Sequence, residues 1–319
     1  MPSSFASTGT NSEIESFLDL LENEEVRYVR KGYGLLIALV LTSSFFFLLP
    51  DFLKPYYSYL PYDSKLMMYT VGTFILHTVT MVISNIVMYF IYTSRLNFFE
   101  RYRISSEPWP WEKNPEAFKQ QLKKTLRTLA LNYFVLVPGV SALPVLLGIS
   151  EVNPSPIFYP ESSEVIWQIV FFMIVEDTCF YWTHRLMHTP YFYKRFHKQH
   201  HEYSTTIGLA AEYAHPFEFV FGNMLTSSMG PLILGPRCHI MTWYMWVFIR
   251  SLETTDGHCG YEFSWSPFRL LPLSGSANYH NFHHSSNIGN FGSFFTYWDT
   301  LCQTNKHYWR YLAKYEQTN

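Results

Sequence analysis

Three stretches of this 319-residue chain contain no Asp, Glu, Lys or Arg: residues 32–50 (GYGLLIALVLTSSFFFLLP), 66–94 (beginning LMMYTVGTFILH) and 128–150 (TLALNYFVLVPGVSALPVLLGIS). A fourth, 165–183 (VIWQIVFFMIVEDTCFYWT), is apolar up to Val175 and then meets Glu176 and Asp177. The bilayer core offers backbone groups no water, so a stretch of about 20 apolar residues crosses it only as a helix. Charged residues make up 15% of the chain, against about 25% in soluble domains. The sequence therefore predicts an all-α integral membrane protein with about four transmembrane helices. Pro138 and Pro144 predict a kink or break in the third. The fourth is expected to leave the bilayer, with its last turns in water or protein.

Residues 217–249 are a further greasy stretch, interrupted by Gly230-Pro231 and Gly235-Pro236-Arg237. A re-entrant or interfacial hairpin fits them, and so do two short spans. Eight Lys and Arg fall in 95–127, two in 51–65 and none in 151–164. By the positive-inside rule the N-terminus, the 95–127 segment and the region after span four share the cytosolic side. Asn114-Pro115-Glu116 reads as a helix start. It predicts an interfacial helix leading into span three with Phe118, Leu122, Leu126 and Leu129 on one face, and Trp109 and Trp111 at headgroup depth. The polar start, MPSSFASTGTNS, does not resemble a secretory signal. Ile14, Phe17, Leu18 and Leu21 follow at helical spacing, with a Ser12/Glu15 capping box. That helix lies on the membrane or packs on the main domain. These features divide the chain into 1–31 (cytosolic N-terminal segment), 32–164 (spans and basic loop), 165–302 (the fourth span and the region after it) and 303–319 (tail).

The formal net charge of −2 argues against a nucleic-acid partner. Four scattered cysteines form no Cys-x-x-Cys pair, which excludes a disulfide framework or thiolate metal site. Histidine is the informative residue: eleven of thirteen lie between 184 and 284. His184 and His188 (HRLMH) are four apart, on one helical face. His197, His200 and His201 (HKQHH) and His280, His283 and His284 (HNFHH) repeat one spacing. His258 stands alone in TTDGHCGY. Neutral imidazole suits Zn, Cu, Fe and Ni, and a metal holds together rings that would repel if protonated. Nine imidazoles exceed the four to six ligands of one ion, so two metals are expected.

Further candidates flank this set. Asp177 shares a helical face with Tyr181, His184 and His188; it either accepts a ligand's second N–H or simply ends a span. Glu212 and His215 (AEYAHP) form one Glu-x-x-His unit, of which di-iron bundles use two; either residue is a candidate further ligand or a support for one. His239 is expected at the interface, His307 on the surface, and His77 as a buried hydrogen-bonding group.

These motifs resemble the membrane fatty acid hydroxylase superfamily of non-haem di-iron enzymes. The stretches EDTCFYWTHRLMH, HKQHHEY, AEYAHPFE, LETTDGHCGYE and HNFHHSSNIGNFGSFFTYWD are similar to those of the C-4 methylsterol oxidases, over about 165–302. The resemblance implies two iron ions in a cytosolic helical cap, held by His184, His188, His197, His200, His201, His258, His280, His283 and His284. Some members carry a tenth histidine where this chain has Thr254. The resemblance further implies stepwise oxidation of a sterol 4α-methyl group with electrons from NAD(P)H through a reductase and cytochrome b5, association with other sterol C-4 demethylation enzymes, and residence in the endoplasmic reticulum. The C-terminal AKYEQTN has no dilysine signal, so the last point rests on the resemblance alone. Rival readings are another lipid hydroxylation or desaturation of the same superfamily, or a metal transporter or sensor. Transport sites lie near mid-membrane, whereas these clusters sit among Lys and Arg.

Overall fold

The computed structural model describes residues 24–149 and 152–318. The apolar face expected of the first helix, Ile14, Phe17, Leu18 and Leu21, and the polar start lie outside the described residues. Among those described there is no strand, only three isolated bridges. Four helices are long and apolar enough to cross a membrane: α1 (Lys31–Tyr59), α2 (Lys65–Ser94), α3 (Pro115–Leu146) and α4 (Ser162–Met187). The protein is an all-α, multi-pass membrane protein. Only 11% of the apolar window of α1 is buried in protein, against 44% of that of α4, so α1 is peripheral and α4 central. Large apolar side chains such as Leu36, Phe90 and Phe134 point outward, as expected where the solvent is lipid.

The third span follows its interfacial helix as expected, and the break expected at its prolines is absent. The basic interfacial helix and the apolar run form one continuous helix from Pro115, capped by Asn114, whose Oδ1 accepts the Ala117 N–H (3.0 Å). Pro138 does not break it, because a wide π-type turn at Asn132–Leu136 accommodates the missing N–H. The inner face of its first turns carries Thr125 and Leu129, while Leu126 is exposed. Trp109 also departs from expectation. It is 1% exposed and packs on Tyr92, Trp111 and Tyr261, with the Arg103 guanidinium over its ring, so it is core rather than an interfacial anchor.

Residues 217–249 form a hairpin. A π-type turn (Phe219–Met224) leads into α5 (Leu225–Leu234), and Gly235–Arg237 turns the chain into α6 (Ile240–His258). With Pro216–Glu218 and the π-type turn, α5 makes a helical stretch over 216–234, which is not among the four helices long and apolar enough to cross a membrane. It packs along α4, closely enough that a Cβ on Gly230 would lie 2.6 Å from Phe172 Cδ1. The α6 helix packs along α2. His239, expected at the interface, is instead buried: its Nδ1 caps α6 by accepting the Met241 N–H and its Nε2 meets the Ser155 carbonyl. Among the described residues two further helices of ten residues or more follow, α7 (Ala277–Ser286) and α8 (Lys306–Thr318).

The molecule has two dissimilar ends. At one, Tyr57 and Tyr159 tie the end of α1 to residues 152–160. At the other, the basic 95–127 segment packs on the histidine-bearing chain. Gln121 donates to the Glu202 carbonyl, Thr125 meets Tyr203, and Tyr261 donates to Glu100.

Candidate metal centre

Each histidine motif sits on a short, well-terminated helical element. HRLMH forms the last turns of α4, which Thr189-Pro190 ends. HKQHH lies on a π-type turn (Tyr193–His197) followed by a 3-10 turn (His200–Glu202). HNFHH occupies α7, where Ser276 accepts the Tyr279 N–H and Asn287, left-handed at φ 56°, donates to the His283 carbonyl. His258 closes α6.

The nine histidines converge in two groups: His184, His188, His197, His201 and His283 in one, and His200, His258, His280 and His284 in the other. In both, the atoms that meet are Nε2. The nearest neighbours among them stand 2.9 to 3.3 Å apart, and all the ligand atoms of a group lie within 4.8 Å of one another. Two donors about 2.1 Å from one ion would stand about 3.0 Å apart at right angles and about 3.4 Å apart tetrahedrally.

The outer ring nitrogens identify the tautomers. The Nδ1 atoms of His184, His258, His283 and His284 face the carbonyls of Phe291 (2.9 Å), Thr254 (2.8 Å), Gly289 (2.5 Å) and Tyr203 (3.1 Å). His197 Nδ1 faces Glu218 Oε1 at 2.7 Å. A carbonyl only accepts, so each of these Nδ1 atoms carries the proton and each neutral ring turns a bare Nε2 lone pair inward. Converging lone pairs repel unless a cation lies between them. The donor set therefore fits two metal ions. A group of five nitrogens exceeds the four ligands of a structural zinc site and suits an ion of higher coordination number. Burial keeps the rings neutral: it pushes His197, His200, His280, His283 and His284 well below the ordinary imidazole value and His258 down to about 4.

The other sequence candidates take different places. Asp177 touches no ligand; its Oδ1 accepts the amides of Ser293 and Phe295. With Asp299, which accepts those of Phe291 and Gly292, it pins the loop whose Phe291 carbonyl orients His184. Glu212 Oε1 pairs with His77 Nε2 at 2.9 Å. His215 Nδ1 accepts the Phe217 N–H. Neither Glu212 nor His215 is in the converging groups. Thr254, one turn before His258, holds that ring through its carbonyl. His307 is exposed.

Sequence reasoning overlooked Glu218, Arg250 and Asn223. Glu218 is buried beside His197, and Arg250 is clamped by Glu176 (2.9 Å) and Glu253 (2.6 Å). Both are charged residues inside apolar runs, FEFVF and MWVFIRSL. Such a charge is costly unless paired, and that was the available signal.

An apolar cavity with an empty volume of about 890 Å³, mouth included, lies between α2, α3 and the α5–α6 hairpin. Tyr69, Val137, Val140, Phe219, Leu232, Trp243 and Trp246 line it. Trp243 is fixed by stacking on Tyr69 and by donating to Thr73 Oγ1. The cavity ends at Asn223, Arg250 and Thr254. These three also border the space lined by His184, His197, His200, His258 and His280.

The fatty acid hydroxylase family model matches residues 169–304. Methylsterol monooxygenase 2-2 of Arabidopsis thaliana is 36% identical over 244 residues, covering 75% of this chain and 86% of that protein. The C-4 methylsterol oxidase of Schizosaccharomyces pombe is 32% identical over 68% of this chain and 71% of its own length. A very-long-chain aldehyde decarbonylase of Oryza sativa is 34% identical over 75% and 86%. No solved structure matches significantly. Matched through the whole histidine-bearing region, and similar over most of its length to these relatives, the chain belongs to the fatty acid hydroxylase family, on the branch that holds the methylsterol monooxygenases.

Proposed function

We propose that this chain is a C-4 methylsterol monooxygenase, with the nine histidines holding two irons. The observation that carries the proposal is the apolar cavity that ends at Asn223, Arg250 and Thr254, against the histidine nitrogens. A lipid lying in it would present one end to the metal pair. An unactivated methyl group yields neither to acid–base nor to nucleophilic side chains; bound iron supplies the one-electron and O2 chemistry that it demands. Overall, the methyl group takes one oxygen atom from O2 while two electrons and two protons reduce the other atom to water, giving the alcohol. A second and a third turnover of the same stoichiometry give the aldehyde, with loss of water, and the carboxylate.

The chain's own residues supply the rest. Trp243, Trp246 and Phe219 exclude water and bind the lipid. The Nδ1 partners of His184, His197, His258, His283 and His284 keep those imidazoles aimed and neutral. Asp177 and Asp299 hold the loop that orients His184. The electrons come from NAD(P)H through a reductase and cytochrome b5, which we place at the basic end of the molecule. That end faces the cytosol by the distribution of Lys and Arg, with the protein in the endoplasmic reticulum membrane. We assign 165–302 as the catalytic domain, 32–164 as its membrane support, 1–31 as the cytosolic N-terminal segment and 303–319 as the tail.

The test is an assay of membranes carrying the protein with a 4,4-dimethylsterol, O2 and NAD(P)H. Wild type is expected to yield 4-oxidised sterol and His283→Ala none, with iron in the purified wild type. A protein without tightly held iron, or turnover that survives His283→Ala, overturns the proposal. The relatives named as aldehyde decarbonylases favour a second reading, chemistry on a long-chain aldehyde. Consumption of such an aldehyde with the sterol untouched would establish it.

A further inference from the structure

Arg250 occupies an unusual position. Its side chain lines the apolar cavity and both spaces that border the histidines. Nε donates to Glu176 Oε1 at 2.9 Å and Nη1 to Glu253 Oε2 at 2.6 Å. Phe180 and Phe294 flank the guanidinium, 5.5 and 5.9 Å from its centre. These four contacts fix the group without using all of its donors. Among the described residues Nη2 makes no hydrogen bond, and neither does the side-chain amide of Asn223 nor the hydroxyl of Thr254. All three residues border both the cavity and the histidine space. The exposed lining of the cavity is mostly apolar, and polar groups left open at the end of such a cavity that meets the metal site are the recognition elements of a ligand.

That end suits a group the starting methyl does not possess. A methyl group makes no hydrogen bond, so Arg250 and Asn223 contribute nothing to its recognition. An alcohol, an aldehyde and a carboxylate each bring an oxygen that accepts from guanidinium or amide, and the last carries a charge. We propose that Arg250 Nη2 and the Asn223 amide hold the oxygen installed by the first oxidation, and so retain the partly oxidised sterol for the next one. The inference rests on the methylsterol reading above. It assigns this chain a specificity device for oxidised intermediates, separate from the metal ligands. The two carboxylates already on Arg250 offset its charge, so the final carboxylate is held by hydrogen bonds without being trapped by a bare cation.

The experiment uses the full-length protein, purified with its iron measured, as wild type, Arg250→Lys and Asn223→Ala. Each is given, with O2, NAD(P)H, a reductase and cytochrome b5, a 4-methylsterol and, separately, the corresponding 4-hydroxymethylsterol. Lysine keeps the charge that Glu176 and Glu253 require but lacks the second terminal nitrogen. Loss of a hydrogen bond to a charged donor is expected to lower kcat/KM for the hydroxymethylsterol, relative to the methylsterol, about tenfold or more in Arg250→Lys, and severalfold in Asn223→Ala. With the methylsterol as substrate, free alcohol and aldehyde are expected to accumulate in place of carboxylate. An unchanged ratio in both variants overturns the inference, as does a parallel fall of every product in step with iron content, the mark of a merely structural role. Asn223, whose side chain ties nothing together, decides the matter should Arg250→Lys fail to fold. A wild type that oxidises no 4-methylsterol overturns both the inference and the reading beneath it.

Discussion

Replacing Glu218 tests the assignment of the five-histidine group in isolation. The carboxylate is 6% exposed and its Oε1 lies 2.7 Å from His197 Nδ1. Burial alone pushes that carboxyl well above its usual range; the His197 N–H and a cation on the far side of the ring both favour the ionised form. Glu218→Gln keeps an acceptor but removes the charge, which costs about half of a charge-assisted bond, about 1 kcal/mol or roughly fivefold in metal affinity. Glu218→Leu leaves the imidazole N–H buried and unpaired, which costs about 1–3 kcal/mol, or ~5–150-fold. The assay is iron retained by purified protein against increasing chelator. Wild type is expected to release its metals at high chelator. Glu218→Leu is expected to pass through a state with one metal per chain, because the group of His200, His258, His280 and His284 does not touch Glu218. Loss of both metals together, or retention like that of wild type, would refute the reasoning.

Three further outcomes follow from the geometry. For the metal-free protein, histidines whose folded pKa is depressed favour folding above their unfolded value of about 6.5, and that contribution is lost as pH falls towards the folded value. With His258 at about 4, its share is on the order of 3 kcal/mol, so the apoprotein is expected to melt markedly lower at pH 5 than at pH 7.5, and a flat profile contradicts the buried neutral cluster. Val140→Trp, in the wall of the apolar cavity, is expected to reduce sterol turnover more than about tenfold with iron content unchanged; unimpaired turnover would show that the substrate lies elsewhere. Gly230→Val would set a Cβ 2.6 Å from Phe172 Cδ1 and 3.0 Å from its Cα, and the overpacking is expected to cost about 1–3 kcal/mol, read as a lower melting temperature in detergent.

What the sequence revealed, and what it withheld, follows from the range of the forces involved. The spans were legible because each segment must satisfy its own backbone in lipid, a local requirement. The start of span three was legible as well, as an Asn114-capped amphipathic helix leading into the apolar run, while the two prolines suggested a kink or break and the helix runs unbroken from Pro115 to Leu146. The histidines were legible as ligands because their spacing repeats. The partners of their Nδ1 atoms were not, since Phe291, Gly289, Tyr203 and Glu218 come from loops and turns that only the tertiary fold brings near. Arg250 is the sharpest omission. A lone cation among aromatics was visible, but its two partners stand 74 residues before it and three after it.

How the motifs divide between the metals makes a final prediction. A helix turns about 100° per residue, so residues four apart point within about 40° of each other, and residues three apart diverge to the other side. His184/His188, His197/His201 and His280/His284 accordingly stay paired, the first two in one group and the third in the other, while His200 and His283 each cross to the opposite group. One group thus consists of two i, i+4 pairs plus His283. The other has one such pair plus His200 and a single His258, whose i−4 position is Thr254. The two groups would match if residue 254 were histidine. Thr254 already borders the spaces lined by His258 and His280, so an imidazole there would reach the second group as a fifth ligand. Thr254→His is therefore expected to hold the more weakly bound metal at least about tenfold more tightly against chelator, a gain of about 1.4 kcal/mol. It is also expected to lower sterol turnover, because the new ring occupies the neck where the apolar cavity meets the histidines. Unchanged metal retention in a folded Thr254→His protein would mean that the four-histidine group is not one ligand short, and that the asymmetry between the groups has another cause.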